Sequence, residues 1–286
     1  MKTLVEILRS NGSHWVGDGF PVHSLFSYHG DTRAISPFLL FDYAAPHMFE
    51  PNAASPRGVG QHPHRGFETV TIVYDGEVSH RDSSGGGGTI GTGDVQWMTA
   101  AGGIIHEEYH SPGFSKSGGP FHMVQLWVNL PAKDKMRPAG YQGIAAEQIP
   151  IIAIDGGRAR IIAGELNGTR GPARTFSPIN LWDMRLEAGK DVPLALPDGH
   201  NAMIAVLSGH ITVAGEGVGA AEIARLSVDG EGVTIHTDGE SMILVMTGEP
   251  IDEPVVGYGP FVMNSEAEIR TAIEEFNSGR FIRSAA

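Results

Sequence analysis

Short apolar runs broken by turn residues dominate the chain from Val16 to Leu130, among them PFLLFDY (37–43), FETVTIVYDG (67–76), DVQWMTA (94–100) and HMVQLWVNLP (122–131). No helical periodicity separates them, so they predict the strands of a sandwich or barrel. The polar stretch PAKDKMRPAGYQG (131–143), with two prolines and two glycines, reads as a linker. A second β-rich block follows, with INLWDMRL (179–186), AMIAVLSGHITVAG (202–215) and SMILVMTGEP (241–250).

The last segment changes period. NSEAEIRTAIEEFNSG (264–279) sets Ile269, Ile273 and Phe276 on one helical face, opens with Ser265 and Glu268 as a capping box, and stops at Gly279. The two β blocks also resemble each other: VTIVYDGEVSHRD (70–82) aligns with MIAVLSGHITVAG (203–215) when Gly76 is laid on Gly209. Two tandem β-barrels follow, with an N-terminal domain over 1–135 and a C-terminal domain over 145–286. On that alignment His62 falls on Ala195 and His64 on Pro197, so the second copy lacks these histidines.

Charge and composition narrow the chemistry. A formal net charge of −13, with no Lys/Arg block, excludes nucleic acid as the main partner, because phosphate-backbone affinity is carried by basic side chains. With no cysteine, any metal must be held by His and carboxylates. No apolar run reaches the ~18 residues of a membrane span and Met1 to Ser10 carries no signal-peptide pattern, so a cytoplasmic protein is expected.

Seven of the thirteen histidines lie between His47 and His122. In HPH (62–64), residues two apart point to one face of a strand, so His62 and His64 can share an ion. HEEYH (106–110) matches the zinc-protease helix signature as a string. Gly102 and Gly103 before it and Ser-Pro-Gly at 111–113 after it leave about two turns, too few for a stable helix. Ile104 and Ile105 favour a strand. Read so, His106 and Glu108 share a face and Glu107 and Tyr109 turn away. Two strands then supply His62, His64, His106 and Glu108 around one divalent ion, and three imidazoles with a carboxylate suit Fe(II), Mn, Co, Ni, Cu or Zn.

HPHRGFETVT (62–71), GDVQWMTAAGGIIHEE (93–108), QLWVNLP (125–131) and YGPFVMN (258–264), with VGDGFPV (16–22) and PFLLFD (37–42), resemble the pirin family of the cupin superfamily along nearly the whole chain. The resemblance implies an all-β bicupin, two tandem antiparallel jelly-roll barrels with a C-terminal helix. It implies a metal, commonly iron, in the N-terminal barrel alone, with His62, His64, His106 and Glu108 as ligands. Glu68 stands where many other cupins place their carboxylate ligand and is the reserve, with Glu107 behind both.

The activity implied is that of quercetinase-like pirins, which open a flavonol ring with dioxygen, Glu108 serving as general base for the 3-hydroxyl proton. The alternative implied is a redox-responsive regulator acting through a protein partner. Other residues read more plainly. GGGG (85–88) is a hairpin tip, since no Lys-Ser/Thr and no helix follow it. His80 and Asp82 line the site's mouth or pack beside it, His110 and His122 are structural or surface residues, and Trp97 and Trp127 anchor the core.

Overall fold

Alternating side chains become antiparallel ladders at each of these runs. The computed structural model describes residues 1–282. Strands Phe38–Phe49, Phe67–Asp75, Val95–Thr99 and Gly119–Asn129 form where the first block predicts them, and Ile179–Leu186, Asn201–Ser208, His210–Val213 and Ser241–Gly248 where the second does. The chain divides into two compact units. The first barrel comprises Gly12–Thr32, Phe38–Ala146 and the chain from Asp252 onward, and the second comprises Met1–Asn11, Arg33–Pro37 and Glu147–Ile251.

Each barrel pairs a seven-stranded sheet with a four-stranded one. In the first, Phe67–Asp75 lies third in the large sheet, between Val95–Thr99 and Gly119–Asn129; in the second, Asn201–Ser208 lies third, between Glu222–Leu226 and Ser241–Gly248. The internal repeat is therefore a repeat of sheet order. Its shared glycines have one cause: Gly76 (φ 85°) and Gly209 (φ 84°) both turn the chain in the left-handed region. A Cβ would stand 2.7 Å from the Phe121 ring at Gly76 and 2.5 Å from the Glu240 carbonyl oxygen at Gly209.

Two expectations of organisation meet a different arrangement. The expected domains, 1–135 and 145–286, are contiguous, whereas the units are interleaved along the chain. Leu4–Arg9 is responsible at one end, because it pairs with Glu222–Leu226 as an edge of the second barrel's large sheet. At the other end Val262 N donates to the Arg65 carbonyl in the first barrel, at 3.0 Å. The stretch 131–143 is not a free linker. It contains a 3-10 turn, Ala132–Asp134, and enters the strand Gly140–Ile144, which pairs with Val95–Thr99. Its Lys135 is buried, and Nζ donates to the carbonyls of Gly66 (2.7 Å) and Val262 (3.0 Å) and to Asn129 Oδ1 (2.6 Å). A polar run here satisfies buried acceptors.

The C-terminal helix spans Glu266–Asn277, with Ser265 as N-cap accepting from the Glu268 amide. Ile269 and Ala272 are buried on its inner face and Ile273 is partly so, while Phe276 lies toward the exposed side. No helix among the described residues is long and apolar enough to cross a membrane.

Candidate metal centre

The small sheet of the first barrel places Ile104–His110 between Gly58–His64 and Val78–Asp82. Along this central strand Ile104, His106, Glu108 and His110 are buried while Ile105, Glu107 and Tyr109 are partly exposed. HEEYH is thus a strand, and His106 and Glu108 share its buried face. His106 lies opposite His62 in the ladder, and Glu108 lies opposite His80. Glu107 is turned to the other face, where Arg81 Nε donates to it at 3.0 Å.

Three imidazoles converge. Ring centroids are 4.9 Å apart for His62 and His64, 4.1 Å for His62 and His106, and 4.8 Å for His64 and His106. Each offers a ring nitrogen within 4.8 Å of the other two. Their hydrogen bonding suits a cation. His62 Nδ1 meets the Gly60 carbonyl at 2.8 Å, which assigns the proton to Nδ1 and leaves Nε2 a lone pair. His64 Nδ1 and His106 Nε2 are buried without a hydrogen-bond partner. Buried nitrogens left unpaired are costly, and a metal ion satisfies them. Burial foremost, then repulsion from His62, lowers His64 to about 3 against the opposing effect of the Pro260 carbonyl. Burial, followed by His64, His62 and His80, holds His106 well below the ordinary range. Both rings are therefore neutral at neutral pH, the form that binds metals.

Glu108 joins an adjoining group, with His80 and His106, again within 4.8 Å, and His106 is the member common to both. Its Oε1 accepts from Gln96 Nε2 at 3.0 Å. Gln96 Nε2 also stands 3.3 Å from His80 Nδ1, His80 Nδ1 is 3.3 Å from His106 Nδ1, and His80 Nε2 is 3.0 Å from Asp82 Oδ2. Tyr141 Oη donates to Gln96 Oε1 at 3.3 Å. Sequence reasoning missed Gln96 and Tyr141. The available signal was a glutamine inside the apolar run DVQWMTA, a polar group that must find partners once buried.

Glu68, the reserve carboxylate, is buried on the opposite face of its sheet. It pairs laterally with Thr99, whose Oγ1 donates to it at 2.7 Å, whereas Thr71 on the alternate face of that strand pairs with Gln96. Burial raises Glu68 to about 7 against the bonds from Thr99 and Trp97. His110 and His122 are both buried. His110 sits among Phe20, Phe49, Phe114 and Phe121 with Nε2 3.0 Å from the Gly19 carbonyl, and His122 meets Tyr43 Oη at 3.1 Å. Trp97 is fully buried, and Trp127 is partly buried, stacked on Phe67 at 4.2 Å and edge-on to His64 at 5.3 Å.

Among the described residues, the corresponding strands of the second barrel bring no such group of histidines and carboxylates together. With Gly76 on Gly209, His80 corresponds to Val213, and cross-strand pairing then matches Glu108 to Ile235 and His106 to Val233. All three counterparts lie in that barrel's aliphatic core.

The sequence matches the Pirin family over residues 19–128 and the Pirin C-terminal cupin domain over residues 181–282. A Pseudomonas aeruginosa protein bearing the name putative quercetin 2,3-dioxygenase is 54% identical over 285 residues, covering 99% of each chain. Pirin-like protein 2 of Arabidopsis thaliana is 36% identical over 278 residues, covering 92% of this chain and 81% of that one. The crystal structure of quercetin 2,3-dioxygenase from Acinetobacter baumannii aligns with a TM-score of 0.96 at 53% identity, covering 98% of both chains. A bacterial pirin from Escherichia coli in complex with nickel(II) shares the fold, with a TM-score of 0.65 at 21% identity over 86% of this chain and 99% of that one.

Proposed function

This chain belongs to the pirin family, and from that premise we propose that it is a metal-dependent dioxygenase of the quercetin 2,3-dioxygenase type, with His62, His64, His106 and Glu108 as ligands. The observation that carries this reading is the convergence of three imidazoles, two with buried unpaired nitrogens, beside a carboxylate that shares a strand face with one of them. A bound divalent ion, Fe(II) before Ni, Co, Mn, Cu or Zn, supplies Lewis-acid and redox chemistry for the reaction of a flavonol with O2.

The chain's own groups do the rest. Glu108 takes the proton of the flavonol's 3-hydroxyl as general base. Gln96 holds Oε1, the only Glu108 oxygen hydrogen-bonded among the described residues, so Oε2 remains to accept it. The rings of Phe67 and Trp127 beside His64 make an apolar flank suited to a planar aromatic substrate. His62 is the least buried of the three histidines, so the way in passes its ring.

Anaerobic reconstitution with each candidate metal, followed by quercetin absorbance on admitting air, tests the proposal. Turnover is expected with at least one metal and not in His62→Ala. Metal bound in one equivalent with no turnover above that control sinks the dioxygenase reading for this substrate.

A further inference from the structure

Resting on the metal site proposed above, we infer that Gln96, His80 and Asp82 form a tautomer lock that presents His106 to the ion through a bare Nε2, with Gln96 and His80 as positioning residues. Glu108 Oε1 lies 3.0 Å from Gln96 Nε2, so the amide nitrogen, a donor, faces the carboxylate. Turning the amide over would set two acceptor oxygens against each other and remove the acceptor for Tyr141 Oη. With the amide fixed, its second N–H is directed at His80 Nδ1, 3.3 Å away. That nitrogen must therefore carry a lone pair.

The proton of His80 is then on Nε2, where Asp82 Oδ2 accepts it at 3.0 Å. Asp82 is itself held through Oδ1 by the Ser84 amide (2.8 Å), Ser84 Oγ (2.6 Å) and the Gly86 amide (3.1 Å). His106 Nδ1 stands 3.3 Å from the same His80 Nδ1. Two lone pairs would repel there, so His106 Nδ1 is the N–H, and it shares His80's lone pair with Gln96. Sharing one acceptor between two donors accounts for both contacts being long. A neutral imidazole with its proton on Nδ1 has its lone pair on Nε2, the buried atom that lacks a partner. Any assignment that places a proton on His80 Nδ1 sets that N–H against the amide N–H of Gln96.

The lock joins three strands, Val78–Asp82, Val95–Thr99 and Ile104–His110, through side chains that are all buried, where each hydrogen bond counts for more than at the surface. The second barrel gives independent support. Its counterpart of His80 is Val213, and the pairing of Thr71 with Gln96 and of Ile204 with Ala224 makes Ala224 the counterpart of Gln96. The barrel without the ligands also lacks the lock.

Nitrogen-15 spectra of histidine-labelled, metal-free, full-length protein read the tautomer directly, with the His106 signals assigned by their loss in His106→Gln. Wild type is expected to show His106 protonated on Nδ1 and bare on Nε2, and His80→Phe to lose that preference. Zinc affinity by chelator competition should fall about 10–100-fold in His80→Phe and in Gln96→Met. His80→Gln keeps an acceptor for His106 and a donor for Asp82, and should recover most of the affinity. An Nε2-protonated His106 in wild type overturns the lock, and that spectrum decides even where a variant fails to fold. So does zinc affinity unchanged in both variants while His62→Ala abolishes binding. Zinc retained in His62→Ala removes the site reading itself, and the lock with it.

Discussion

Replacing His110 by alanine should separate metal binding from stability. In a strand His106 and His110 stand about 13 Å apart, at ~3.3 Å per residue, whereas a helix would bring them within one turn of about 5.4 Å. Bonds of about 2 Å to each imidazole cannot span the strand distance. His110 instead contributes packing: its ring centroid is 4.6 Å from Phe49, 4.9 Å from Phe121 and 5.1 Å from Phe114, and Nε2 meets the Gly19 carbonyl. Deleting a buried aromatic ring costs about 3–5 kcal/mol. The imidazole is smaller than a phenyl ring, but a hydrogen bond worth about 1 kcal/mol goes with it, so a loss of about 3 kcal/mol is expected. Urea unfolding followed by tryptophan fluorescence suits the measurement, because Trp15, Trp97 and Trp127 all lie in this barrel. Elemental analysis should find His110→Ala still near one metal per chain and His106→Ala near none. A folded His110→Ala protein stripped of metal would refute the strand argument, and a stability change within ~0.5 kcal/mol would refute the packing argument.

Three other outcomes follow from the same geometry. Glu108→Gln should abolish turnover, whereas Glu107→Gln, on the outer face beside Arg81, should keep most of it; equal losses in a steady-state assay would contradict the strand parity. The Arg65 guanidinium, 1% exposed, lies 2.7 Å from Glu275 and over the Phe281 ring, so Glu275→Ala should cost about 3 kcal/mol by urea unfolding. A loss below about 1 kcal/mol would mean the pair behaves as a surface contact. Glu68 is held up to about 7 by burial and would titrate near 4.5 when unfolded, so its contribution is fully present below 4.5 and lost as pH rises through 7. Stability relative to Glu68→Gln should fall by about 3 kcal/mol across that window, and parallel pH profiles would exclude it.

Much of the site is written locally. HPH and HEEYH carry their own parity, and the glycines around HEEYH are enough to deny it a helix, so the buried pair His106 and Glu108 follows from alternation alone. Gln96 and Tyr141 do not follow in that way. Gln96 meets Glu108, and Tyr141 meets Gln96, only because the sheets bring Val95–Thr99 and Gly140–Ile144 to the strand of His106, a long-range choice that no spacing records. His80 and Asp82 were legible as neighbours of the site, but their mutual bond and the contact with His106 depend on Val78–Asp82 lying beside Ile104–His110. The stretch 131–143 misleads for a related reason. Its lysines and prolines have the composition of a loop, and only the three buried acceptors around Lys135 Nζ show why a lysine is tolerated there.

The interleaved barrels bear on how the protein is made. Leu4–Arg9 leaves the ribosome early, yet its partner Glu222–Leu226 is more than 200 residues away. At synthesis rates of about 5–20 residues per second, that strand waits roughly 10–40 s for a neighbour. The first barrel is completed later in synthesis, because Arg65 is bonded to Pro260 and Val262 and paired with Glu275. A chain interrupted before residue 222 would carry two unfinished barrels and an open sheet edge. Neither barrel is finished in the order in which it is translated, so the nascent chain's exposure to aggregation and to chaperones is set by its last third.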